Sequence, residues 1–147
     1  MAGYSGKPLV TKLGVAEGQR VALVDAPAGF PAALAPLPSE VRLLAAASEQ
    51  VDVDVAIIFS RAASHLEERF AAAVAALRPG GMIWVAWPKK ASRQPTDLTE
   101  DVVRGIGLAA GLVDVKVCAI DETWSGLKFL RRRVPGAKGA PRTTRGR

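Results

Sequence analysis

The sequence predicts one small α/β domain with a mainly parallel, twisted sheet that ends in an antiparallel hairpin. Three observations carry this prediction. Short β-branched apolar runs alternate with amphipathic stretches of helical period between residues 20 and 110, the signature of strands joined by helical crossovers. The strongest of these runs become continuously apolar, as strands covered on both faces do. The last two strand-like runs are separated by only six residues, 121–126, too few for a parallel crossover and enough for a hairpin.

Taken in order, Lys7 to Val15 suits a short helix behind Pro8, stopped at Gly14. Arg20 to Asp25 is a buried first strand, ended by the turn residues Pro27 and Gly29. An Ala/Leu-rich helical turn after Phe30 is bounded by Pro36 and Pro38. Val41 to Ala45 reads as a further strand, although the five residues that follow it are too few for a crossover to a parallel neighbour at Val51. Val51 to Phe59 is a central strand. Ser64 and Glu67 have capping-box spacing, and Leu66, Phe70, Val74 and Leu77 form the apolar stripe of the helix this predicts. Pro79, Gly80 and Gly81 stop that helix, and Met82 to Trp87 is the next strand. Asp97 and Glu100 repeat the capping signal for a helix with Leu98, Val102, Ile106 and Ala109 inward and Gly111 beyond its end. Val113 to Ile120 and Leu127 to Arg131 form the hairpin around the turn 121–126.

A chain of 147 residues buries enough surface for one core without staples. With 49% hydrophobic and only 5% aromatic residues, Val, Leu, Ile and Ala must do most of the packing. Cys118 is the sole cysteine, so no internal disulfide or multi-cysteine zinc site is expected, and no metal. The first ten residues lack a secretory apolar run and no stretch approaches a membrane span, so a cytoplasmic location and no membrane partner are expected.

The net charge of +6 belongs to the C-terminus. Arg131, Arg132, Arg133, Lys138, Arg142, Arg145 and Arg147 have no acid among them, and the preceding 130 residues carry 13 basic and 14 acidic side chains. Residues 1–133 are therefore expected to form the domain, and 134–147, without a large apolar residue beyond Val134, a disordered basic tail. Such a tail either binds phosphates of nucleic acid or an acidic partner, or merely solubilises the end of the chain.

Two resemblances rest on particular residues. The run from Lys12 through Asp25, the strand at 53–59, Leu77-Arg78-Pro79-Gly80-Gly81-Met82-Ile83-Trp84-Val85 and the closing hairpin look like the order of the class I S-adenosylmethionine methyltransferases, a Rossmann-like fold. More closely, YSGKPL near the start, WPKKAS at 87–92, TDLTEDVVR at 96–104 and VDVKVCAIDETWSGLKFLRR at 113–132 resemble a bacterial family catalogued only as a domain of unknown function. That resemblance implies no activity. The methyltransferase resemblance implies a glycine-rich cofactor loop after the first strand, yet Asp25 to Phe30 holds one glycine and 41–48 supplies no carboxylate for a ribose. No cofactor is expected, and S-adenosylmethionine remains the alternative.

Ligands of open α/β sheets sit beyond the carboxyl ends of the parallel strands. That rule gathers Asp25 to Phe30, Ser60 with Arg61, Pro88 to Arg93 and Asp121 to Gly126 at one rim. Lys89, Lys90, Ser92 and Arg93 suit a phosphate or carboxylate, with Glu122 and Trp124 across from them. The alternative is a solvated lysine turn with an ion pair from Lys89 or Lys90 to Asp121 or Glu122. Asp25 is a candidate general base or ribose ligand, or a turn cap. His65 reads as a first-turn surface residue and Cys118 as a small core residue; no Ser-His-Asp order is visible. The expected function is non-catalytic recognition of an anionic small molecule or partner, the alternatives being a reduced methyltransferase and nucleic-acid binding by the tail.

Overall fold

The computed structural model describes residues 8–47 and 51–131. Eleven elements follow one another: α1 (Leu9–Leu13), β1 (Arg20–Val24), α2 (Phe30–Ala33), β2 (Arg42–Leu44), β3 (Val53–Phe59), α3 (Ala63–Ala76), β4 (Leu77–Pro88), a 3-10 turn (Lys90–Ser92), α4 (Glu100–Ala109), β5 (Leu112–Ala119) and β6 (Trp124–Arg131). They build a six-stranded sheet of order β2-β1-β3-β4-β6-β5. The first four strands are parallel, and β6 runs antiparallel to both β4 and β5. The α/β class, the parallel majority and the terminal hairpin therefore hold.

The sheet separates two apolar layers. On one face α3 and α4 pack Leu66, Phe70 and Val103 against Ile58, Val85 and Phe129. On the other α1 and α2 bring Leu13 and Phe30 against Ile57, Trp84 and Trp124. The Trp84 indole donates to the Leu13 carbonyl at 2.8 Å, which satisfies a polar group that burial would otherwise orphan and pins α1. Buried on both faces, β3 and β4 have little choice but to be apolar throughout, which is why they are the most legible strands.

The crossover difficulty at Val41 to Ala45 dissolves in the strand order. β2 is not a neighbour of β3; it pairs with the first three residues of β1, on the far side, so the chain returns only a short distance before β3 begins.

Both predicted capping boxes are corrected. α3 begins at Ala63, before Ser64, and its exposed Ala63 N–H is taken by Asp97 Oδ1 at 2.8 Å, a cap supplied from 34 residues away. With Asp97 so engaged, Thr99 caps α4, accepting from the Val102 N–H at 3.2 Å. The inward stripe of α3 is Leu66, Phe70, Ala73 and Ala76, because the chain turns into β4 at Leu77. Around α4 the expected Leu98 and Ile106 do face the core, but the fully buried helix positions are Val103 and Gly107, with Val102 and Ala109 turned outward. Gly107 meets the Phe129 ring, and an apolar-periodicity argument is blind to a glycine. β4 starts five residues earlier than the Met82 expected, taking the Pro79-Gly80-Gly81 stretch into an irregular strand start.

Among the described residues no helix is long and apolar enough to cross a membrane, and no cluster of His, Cys, Asp and Glu could hold a metal ion. Burial pushes the half-buried Cys118 thiol up, against the pull of Lys12 and Lys116, which removes it as a ready nucleophile.

Candidate functional site

The parallel strands β1, β3 and β4 end at one rim, and the turn between β5 and β6 joins them there. Pro88 pairs with Trp124 across β4 and β6, and the Lys89 N–H donates to the Thr123 carbonyl at 2.8 Å. The WPKKAS and ETWSG segments are thus neighbours. A second set of bonds ties in the β3 exit: the Ser60 N–H donates to the Ala86 carbonyl, and the Arg61 carbonyl accepts from Thr96 Oγ1 at 2.6 Å and from the Asp97 N–H.

Two crevices of more than 500 Å³ open at this rim. One, of ≈ 520 Å³, lies between the β4 exit and the start of α4 and is lined by Trp87, Pro88, Lys89, Lys90, Arg93, Gln94, Thr96, Leu98, Thr99, Glu100 and Ser125. The turn that presents its cations is built by Ser92, whose hydroxyl donates to the Lys89 carbonyl at 2.7 Å and receives the Gln94 N–H. Arg93 ends the turn with a φ of 60°, a left-handed conformation that glycine would adopt without cost and that an arginine adopts at about 1 kcal/mol or more. Among the described residues, Lys89, Lys90 and Arg93 pair with no carboxylate. The expected ion pairs to Asp121 or Glu122 are not formed: Asp121 Oδ1 instead accepts the Thr123 and Trp124 N–H groups, each at 2.8 Å.

The other crevice, of ≈ 530 Å³, lies over β1 and β2 and is lined largely by apolar groups, among them Leu23, Pro27, Pro31 and Leu43, together with Asp25. Asp25 therefore does not share the cationic cleft. Nor do three other predicted residues line it. Ser92 serves the turn, Glu122 is exposed on the hairpin, and Trp124 is 5% exposed, set edge-on to Phe59 with ring centroids 5.0 Å apart. A residue at the end of β6 must face one side of the sheet or the other; Trp124 faces the α1/α2 layer and Ser125 the cleft.

The sequence missed a hydrogen-bonded chain beside Asp25. His65 Nδ1 lies 2.7 Å from Ser60 Oγ, and His65 Nε2 lies 2.8 Å from Asp25 Oδ2, which also accepts from Arg69 Nε at 2.9 Å. The Arg69 hydrogen bond, more than that of His65, holds the Asp25 carboxyl below the usual carboxylate range, and burial only partly opposes this. An ionised Asp25 can only accept, so Nε2 supplies the proton of that bond, while the Ser60 hydroxyl is shared between His65 Nδ1 and the Ala62 carbonyl, 3.0 Å away. Three residue types of a nucleophilic triad are present, but Ser60 is 3% exposed, which denies its hydroxyl a substrate. The chain acts as a clamp between the exits of β1 and β3. The signal was there: His65 and Arg69 lie four apart on one helix face, directly after a strand parallel to the one that ends in Asp25.

Comparison places the fold. The sequence profile described as "Protein of unknown function (DUF3052)" matches residues 40–133. No curated protein matches the chain. Solved structures that resemble it include a ribosomal protein methylase from Lactobacillus delbrueckii subsp. bulgaricus, with a TM-score of 0.59 at 12% identity over 85% of this chain and 75% of that one. A SAM dependent methyltransferase from Aquifex aeolicus gives 0.55 at 15% over 82% and 86%. A putative methyltransferase from Thermoplasma acidophilum gives 0.55 at 11% over 81% and 70%. At these identities the likeness establishes a Rossmann-like, methyltransferase-like fold and nothing about activity.

Proposed function

The chain belongs to the DUF3052 family of proteins of unknown function, and from its own residues we propose that it is a binding domain that holds an anionic small molecule, or an anionic group of a partner, in the cleft of Lys89, Lys90 and Arg93 without catalysing a reaction. One observation carries this reading: three cations line one cleft and form no ion pair among the described residues, while the cleft's own acid, Glu100, is paired with Arg104 and the nearby acids Asp97 and Asp121 accept from backbone N–H groups. Charge-assisted bonds from such a set suit phosphate and carboxylate.

Thermal-shift screening of inorganic phosphate, nucleotides, phosphosugars and dicarboxylates is the test. A ligand at a hundred times its Kd adds about 2.7 kcal/mol of stability, a rise of several degrees. A hit that raises the melting temperature of the natural protein, and fails to raise that of the Lys89→Ala/Lys90→Ala variant, is the expected result. A hit unaffected by the double substitution removes the cleft from consideration.

A reduced methyltransferase is the second reading, favoured by the ≈ 530 Å³ crevice at the exits of β1 and β2. The residues there do not fit S-adenosylmethionine. Gly29, the sole glycine of the Asp25 to Phe30 turn, has a helical φ of −85° and meets nothing within 4 Å of an added Cβ, so no close backbone approach depends on it. β2 is followed by Ala45, Ala46 and Ala47, so the end of that strand offers no carboxylate for a ribose among the described residues, and the acid that does line the crevice, Asp25, is engaged by His65 and Arg69. Nucleic-acid binding by the C-terminal arginines is a separate proposal. Arg132 to Arg147 lie outside the described residues, and Arg131 is spent on the fold, its guanidinium donating to the Val74 and Leu77 carbonyls at the end of α3.

A further inference from the structure

We propose that the ligand of the cationic cleft is an organic oxyanion whose body carries a neutral hydrogen-bond acceptor, and that the indole N–H of Trp87 donates to that acceptor. This rests on the anion-binding reading above and names the class of small molecule. Where β4 meets β6 the cleft is lined by a cross-strand pair, Trp87 opposite Ser125. Residues paired in this way share one face of the sheet, here the α3/α4 face, where Trp87 joins the cluster of Leu98 and Val103. Trp87 is only 6% exposed, yet among the described residues its indole N–H meets no acceptor. The Trp84 indole, three residues earlier, is satisfied by the Leu13 carbonyl. The hydroxyl of Ser125 is also without a hydrogen bond among the described residues. A buried indole N–H finds a partner as a rule, because an orphaned donor forfeits its whole hydration. The fold supplies no acceptor, and Trp87 borders the cleft, so the acceptor comes to it from there.

Size and chemistry agree with an organic ligand. A volume of ≈ 520 Å³ falls among small-molecule sites, which run from about 300 to 1,000 Å³, and a bare phosphate or carboxylate fills only a corner of it. Pro88 and Leu98 add apolar surface beside the indole, so one part of the cleft offers charge and another an apolar wall with a neutral donor set in it. The charged end of a ligand is drawn to Lys89, Lys90 and Arg93. The indole N–H, which donates and never accepts, suits a carbonyl, an ether or a ring nitrogen on the body. A ligand that covers Trp87 without such an atom leaves the donor dry and unpaired, and is selected against on that ground.

The experiment titrates the full chain with inorganic phosphate, acetate, benzoate and the three pyridinecarboxylates at fixed ionic strength. The pyridinecarboxylates differ from benzoate only in a ring nitrogen that accepts, set at three distances from the carboxylate. Two-dimensional NMR reads affinity from the amide shifts of residues 89–99 and the new bond from the indole proton of Trp87. Benzoate is expected to bind more tightly than acetate. At least one pyridinecarboxylate is expected to bind about two- to ten-fold more tightly than benzoate, the worth of one net hydrogen bond, and to move the indole proton downfield of its position with benzoate. Trp87→Phe, which keeps an aromatic ring and removes the donor, is expected to bring that ligand to the level of benzoate; if this variant does not fold, the indole shift in the natural protein decides. Pyridinecarboxylates no tighter than benzoate, with the indole proton unmoved while the amides of 89–99 shift, overturn this inference and leave the cleft standing. Failure of every anion, phosphate included, to shift those amides overturns the two together.

Discussion

Gly107→Ala and Gly105→Ala, two residues apart on α4, are expected to change stability in opposite directions. A Cβ at Gly107 would stand 2.5 Å from Cδ2 and 2.6 Å from Cζ of Phe129, and closer still to Cε2. Phe129 is fully buried and set edge-on to Phe70, with centroids 5.3 Å apart, so its ring cannot yield without disturbing a second aromatic. Overpacking of this kind costs about 1–3 kcal/mol, and replacing a helical glycine by alanine returns about 1 kcal/mol. Contacts this close put the cost at the upper end of that range, so the net loss of about 2 kcal/mol lowers the melting temperature by roughly 4–8 °C for a chain of this size. A Cβ at Gly105 meets nothing within 4 Å, so only the propensity gain remains and the temperature rises by a few degrees. Calorimetric melting of the three proteins at one pH decides it. If Gly107→Ala is as stable as the natural protein, α4 does not sit on Phe129, and the placement of Thr99 and Glu100 at the cleft loses its support.

Three other outcomes follow from the geometry. Asp25 has a carboxyl held below its ordinary 3.8, so its bonds to Arg69 and His65 favour the folded state above that value, and the benefit fades as pH falls through the folded value. The stability gap between the natural protein and Asp25→Asn, measured by urea unfolding, should be open at pH 6 and close progressively below pH 3.8; a gap constant across that range refutes the linkage. Calorimetry with millimolar S-adenosylmethionine should show no binding heat, and saturable heat would restore the methyltransferase reading. Truncation after Arg133 should leave the melting temperature unchanged while abolishing any salt-sensitive DNA or RNA binding, and equal binding by both forms discards the tail.

What the sequence conveyed and what it withheld divide along physical lines. The strands β1, β3 and β4 are legible because burial on both faces leaves a continuous apolar run, and the hairpin because six residues cannot cross a sheet. The rim as a whole was legible through the rule that ligands gather at strand exits. Its division into two crevices was not, because whether a side chain such as Trp124 or Ser125 faces one layer or the other depends on register. The α3 and α4 caps were misassigned because a capping box is a local pattern, and Asp97 spends its carboxylate on a helix 34 residues away. His65 escaped for the same reason: its partners Ser60 and Asp25 come from two strands, and only the parallel pairing of β1 with β3 brings them together. The inward face of α4 was legible at Leu98 and Ile106 but not at its closest contact, which is made by a glycine.

The most direct test of the account is an NMR titration of the full chain with inorganic phosphate, mapped residue by residue. The account predicts that the amide shifts concentrate at residues 89–99, with the Asp25 to Pro31 turn and Leu43 to Ala45 unmoved. Shifts confined instead to the Asp25 crevice, or none at all at millimolar phosphate, contradict it.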